Sequence, residues 1–183
     1  LIADSSREKL YRYKGIKFPD YLDIQFNISK VNAIKLSKYL YRKFIHEETN
    51  IKSVIALFYG RFSVIPIDLK ERYKRNNFVW PSIKIKKGKL GYISFVLKFL
   101  NVNDLLVHDQ FWIELSDNNY FVNHLNETIS KNQFSSSLRN KRERKIKDEE
   151  LSNLSEFLMN IFKNDIDLEK TTSFLKRYCK SVD

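Results

Sequence analysis

The chain has 183 residues, with 33 Lys plus Arg against 22 Asp plus Glu, a net charge of +11. Hydrophobic residues at 43% and aromatics at 14% suffice for a buried core, which excludes a disordered basic tail. One Cys, four Gly and three Pro exclude an internal disulfide, a thiolate cluster and a collagen-like chain, and weaken any all-β reading that needs many tight turns.

In chain order, the first stretch, through YRYKGIKFPDYLDIQF, mixes aromatic and charged positions without a clean period and reads as extended or short-helical wrapping. From Ile28 the period becomes helical, with Ala33, Leu36, Leu40 and Phe44 at spacings of three and four and Tyr41 and Ile45 widening the stripe. Asn50 then reads as the N-cap of a helix carrying Ile51, Val54, Ile55 and Phe58, which Gly60 stops. SVIPI reads as a short strand or extended connection, because Pro66 forbids a central strand; Asn76, Asn77 and Pro81 mark a loop. Gly88 to Leu100 predicts a strong helix with Leu90, Ile93, Val96, Leu97 and Leu100 on one side. Asn103 is expected to cap a further helix through Leu105, Leu106, Phe111 and Leu115. KNQFSSSLRNKRERKIKDEE is polar and densely charged and reads as a linker or solvated helix start. Leu151, Leu154, Phe157, Leu158, Ile161 and Phe162 then predict an amphipathic helix, and Asp167 caps a last one with Leu168, Leu175 and Tyr178.

The predicted class is mainly α: a helical domain over residues 1–130, a charged linker over 131–149 and a C-terminal helical hairpin over 150–183, with little peripheral β-structure. No apolar run approaches the roughly 18 residues of a membrane span, and LIADSSREKL lacks a signal peptide's apolar centre. With a single Cys, the expected compartment is the reducing cytoplasm.

Motifs for covalent chemistry are weak. No G-x-S-x-G, Walker A or G-x-G-x-x-G is present, and His46, His108 and His124 lack ligand spacing. Asp165 and Asp167 could be read as paired metal carboxylates, but their place between two helical patterns favours turn and cap roles. Asp68 with Lys70 and Glu71 is a nuclease-like fragment of the kind that arises by chance in a Lys-rich chain.

The informative feature is basic and local. Arg72, Lys74, Arg75, Lys84, Lys86, Lys87, Lys89 and Lys98 fall in a stretch without one acidic residue, interleaved with Tyr73, Phe78, Trp80 and Tyr92. Such cations neutralise phosphates and aromatic faces stack on bases, although Phe78 and Trp80, taken individually, read more readily as core than as stacking platforms. Lys86, Lys87 and Lys89 precede or open a helix, whose free N–H groups favour an anion such as a triphosphate.

The run PSIKIKKGKLGYISFVLKFLNVNDLLVHDQFW resembles the central motif of the C-terminal domain of archaeal and eukaryotic primase large subunits. Pro81-Ser82 stands at the family's Pro-Cys step, and Lys86 and Lys89 at its His and Arg. Phe95, Val96 and Leu97 match its helix face, and Phe111-Trp112 its closing pair. Tyr120 and His124 resemble a Tyr-x-x-Arg-His element, with Asn123 replacing the Arg. The family's four iron–sulfur cysteines are missing, and a chain that keeps this fold without the cluster is similar to the non-catalytic PriX subunits of crenarchaeal primases.

That resemblance implies a non-enzymatic accessory subunit that binds the initiating nucleoside triphosphate and a single-stranded DNA template for RNA primer synthesis. Its partners would be the catalytic small and large primase subunits, with no iron–sulfur cluster, metal or membrane. Lys86, Lys89 and Lys98 would face the triphosphate. Arg72, Arg75, Lys84 and Lys87 would add phosphate contacts, and Trp112 or His124 would position base or sugar. The competing expectation is a DNA-binding module of the winged-helix kind without nucleotide affinity. A metal-dependent nuclease built on Asp68 and Glu71 is weaker still.

Overall fold

The computed structural model describes residues 25–59, 82–107, 120–138 and 146–179. The expectations resting on Arg72, Arg75, Asp68, Glu71, Trp112, Phe111, Leu115 and the SVIPI segment lie outside these residues. The fold is mainly helical, as the apolar spacing predicts.

Helix α1 spans Lys30–Lys43 and starts where Ser29 Oγ accepts the Asn32 N–H at 3.2 Å. It buries Ala33, Leu36, Ser37 and Leu40 along one stripe. Helix α2, Ile51–Tyr59, packs against it; Asn50 caps α2 as expected, with Oδ1 accepting the Lys52 N–H at 2.9 Å. Strand β1, Gln25–Phe26, precedes α1, and β2, Ile83–Lys84, precedes α3, Leu90–Val102.

Helix α3 is the centre of the core. The predicted single apolar side is too narrow a description: Tyr92, Phe95 and Phe99 are also buried, so the helix is enclosed nearly all round. Phe44 stacks on Tyr92 with ring centroids 4.8 Å apart. On another side Gly91 lets Ile146 pack closely, and a Cβ there would force the Ile146 side chain to shift.

Asn103 does not start a helix; it ends α3. Its Nδ2 donates to the Phe99 carbonyl at 3.0 Å, and its Oδ1 accepts from the Asp167 N–H at 3.1 Å and the Thr171 hydroxyl at 2.8 Å. Asp104 follows at a positive φ of 57°, and the Leu105 N–H closes on the Leu100 carbonyl at 2.8 Å. That left-handed step turns the chain into β3, Leu106–Val107, which pairs antiparallel with β1 through Phe26 and Leu106. Strand β4, Phe121–Val122, lies parallel to β2, with Ile83 opposite Phe121 and Lys84 opposite Val122.

Within the stretch read as a charged linker, Lys131–Ser136 form helix α4. Ser130 and Gln133 make a reciprocal capping box, and Phe134 and Leu138 are buried. The apolar anchors are few but well placed. Helix α5, Asp148–Ile161, buries Leu151, Leu154 and Leu158 and sets Phe157 against Tyr39, ring centroids 4.0 Å apart. Asp148, Glu149 and Glu150 occupy its first turn, where the helix dipole favours negative charge.

Helix α6, Leu168–Tyr178, begins at Asp167, whose Oδ1 accepts the Glu169 and Lys170 N–H groups, both at 3.0 Å. The cap reading of Asp167 therefore holds. Phe174 and Leu175 are buried, but Leu168, expected in the apolar stripe, is exposed. Helix α5 packs on α1 and α6 on α3, and their buried side chains join one cluster with Leu36, Leu40, Phe95 and Phe99. The hairpin is docked. Among the described residues no helix is long and apolar enough to cross a membrane.

Candidate nucleic-acid interface

The lysines singled out by the sequence sit on β2, on the turn after it and on α3. Gly88, at φ 75°, permits this tight turn, which the Lys89 N–H closes onto the Lys86 carbonyl at 3.1 Å. The turn leaves Lys87 exposed. Its neighbours are engaged with the protein itself. Lys84 Nζ lies 2.7 Å from Glu48 Oε2, and Lys86 Nζ donates to the Arg42 carbonyl at 3.0 Å, satisfying the C-terminal end of α1.

Lys89 is held most firmly. Its ammonium bridges both oxygens of Glu150, at 2.7 and 3.0 Å, while lying 4.9 Å from the Tyr92 ring centroid and 5.9 Å from that of Phe44. Lys98 does not converge with this group. Nine residues along α3 separate it from Lys89, about 13 Å of helix. Its Nζ donates to the Tyr178 hydroxyl at 3.4 Å. His124 lies in the turn after β4, two residues beyond the Val122 that pairs with Lys84.

The structure therefore brings Lys84, Lys86, Lys87 and Lys89 to one edge and leaves Lys98 elsewhere. It also supplies cations that the sequence reading passed over. Helix α1 carries Lys30, Lys35, Lys38, Arg42 and Lys43 and no acidic residue. Lys35, Lys38 and Arg42 recur at spacings of three and four, opposite the apolar stripe, and all three are exposed. This ridge ends where the Arg42 carbonyl receives the Lys86 ammonium, so it continues into the Lys86–Lys87 turn. The detectable signal was the face of α1 left over once the apolar stripe is assigned: it is cationic without interspersed acids.

Glu150 is the carboxylate set against this edge. Burial would raise its pKa, but hydrogen bonds from Lys89 and Tyr92, with the charge of Lys43, hold it below the ordinary carboxylate value. The Tyr92 hydroxyl is pushed up to about 12, mainly by burial, with Glu150 and Asp148 adding to the shift. The Lys147 N–H, donating to the Tyr92 hydroxyl at 2.8 Å, opposes it. Tyr39 is also raised, by burial and then by Glu150.

Among the described residues no group of three or more His, Cys, Asp or Glu is placed to hold a metal ion. Cys179 is buried, with Sγ 3.3 Å from Ser155 Oγ. What the edge offers is fixed positive charge on a rigid helix, suited to binding a phosphate backbone. Comparison with known protein families, curated proteins and solved structures gives no match.

Proposed function

We propose that this chain is a non-catalytic nucleic-acid-binding subunit whose basic ridge tracks the phosphates of a single strand. The observation that carries the reading is the acid-free helix α1, with Lys35, Lys38 and Arg42 exposed in one row that runs into Lys86 and Lys87. From Lys35 to Arg42 the row covers about 10 Å. Each of its three cations can neutralise one phosphate of a strand laid along the row.

The specific form of the reading rests on the resemblance carried by Pro81-Ser82, Lys86, Lys89 and Phe95–Leu97. It is an accessory subunit of a DNA primase, working beside catalytic small and large subunits. The strand is then the template, and the initiating nucleoside triphosphate is taken at the β2–α3 turn, where Lys87 is exposed. Lys86 and Lys89 contribute to that site only by exchanging the Arg42 carbonyl and Glu150 for phosphate oxygens.

Fluorescence anisotropy with a labelled single strand, a duplex of the same sequence and labelled ATP tests both levels. Salt-sensitive binding of the single strand supports the general reading, and added ATP binding supports the primase form. Duplex binding alone transfers the ridge to a DNA-binding module of another kind. Absence of binding to all three at low salt removes the reading.

A further inference from the structure

Lys89 and Glu150 form an ion pair at this edge in which the ammonium reaches both carboxylate oxygens, with side chains 28% and 24% exposed. Solvent therefore reaches both partners. Each also has a second interaction that survives separation. Lys89 keeps the Tyr92 and Phe44 ring faces, and Glu150 keeps the Tyr92 hydroxyl and the nearby charge of Lys43. Parting the pair thus strands neither charge, and a phosphate oxygen can replace the carboxylate on Lys89 with the ammonium already held in position.

We propose that Glu150 is a built-in counter-anion that competes with bound phosphate for Lys89 and so sets the affinity of the basic edge below what its cations permit. The inference rests on the nucleic-acid-binding reading and adds its regulation. The Glu150 carboxylate occupies the Lys89 ammonium, which lies between the Tyr92 ring of α3 and the Phe44 ring at the end of α1. Its removal exposes one more cation to the strand.

The test compares wild type with Glu150→Gln, which keeps an oxygen acceptor for Lys89 and Tyr92 but removes the charge. The probe is a labelled thymidine oligonucleotide of about 16 nucleotides, the upper end of the site size of one module. Glu150→Gln should bind about tenfold more tightly, as expected for one added charge-assisted contact. The slope of log K against log salt should steepen by about 0.7, the increment for one further phosphate contact on a single strand. A structural role alone would not move that slope. Glu150→Asp, which keeps the charge but shortens the reach, should shift both quantities the same way by less, and it serves if the Gln variant folds poorly. Adding Lys89→Met to Glu150→Gln should return affinity to near wild type. Unchanged affinity and slope in Glu150→Gln overturns the inference while leaving wild-type binding intact. A gain that persists without Lys89 overturns it too, since that is a general charge effect. Failure of wild type and both Glu150 variants to bind removes this inference together with the reading beneath it.

Discussion

Replacing Phe174 by Ala measures how firmly the C-terminal helix is seated. The ring is buried on α6, with centroids 5.1 Å from Phe95, 5.0 Å from Tyr178 and 6.2 Å from Phe99. Truncating a buried Phe costs about 3–5 kcal/mol, from lost transfer energy and the cavity left behind. Helix α6 is the last element of the described chain and can settle partly into the gap, so the lower end, about 3 kcal/mol, is expected. For a chain of this size, that lowers Tm by about 6–12 °C. Urea and thermal unfolding followed by far-ultraviolet circular dichroism give the value directly. Leu168→Ala on the same helix is the control; the residue is 66% exposed, and the change should stay within about 0.5 kcal/mol. A loss below about 1 kcal/mol for Phe174→Ala would refute the packing of α6 against α3.

Three further outcomes follow from the caps and the charge cluster. Tyr92→Phe leaves the Lys147 N–H without its acceptor and takes a donor from Glu150, and should cost about 1–3 kcal/mol in urea unfolding. Asp167→Ala removes the N-cap of α6 and should cost about 1 kcal/mol by the same measurement. Because Glu150 titrates below its ordinary value of 4.5 in the folded chain, its contribution is complete above that value and is lost as pH falls through the folded pKa. Stability measured against pH should therefore decline less steeply in the acid range for Glu150→Gln than for wild type.

Local patterns made much of the fold legible. The stripes of α1, α2, α5 and the inner side of α3 follow from apolar spacing, and Asn50 and Asp167 act as the caps their positions suggest. Helix α4 was obscured because charge dominates its surroundings, although Ser130-x-x-Gln133 ahead of Phe134 is a start signal. Asn103 carries the side chain of an N-cap but is used at a helix end, where its partners Asp167 and Thr171 lie more than sixty residues away. The candidate site shows the same division. The acid-free block drew attention to Lys84, Lys86 and Lys89, yet their partners Glu48, Arg42 and Glu150 lie 36, 44 and 61 residues away. A local count of charges cannot register neutralisation brought about by tertiary contacts. Lys35, Lys38 and Arg42 were readable in principle, because a helix with one apolar face must present its other face to water.

The central claim is that the α1 ridge binds a phosphate backbone, and the salt dependence of binding by the triple variant Lys35→Ala, Lys38→Ala, Arg42→Ala tests it most directly. The three side chains are exposed, so circular dichroism and Tm should change little. Single-strand affinity should fall about 100-fold, at roughly 1 kcal/mol per exposed contact. The slope of log K against log salt should flatten by about 2, the share of three phosphate contacts on a single strand. A folded triple variant with wild-type affinity and an unchanged slope would contradict the account.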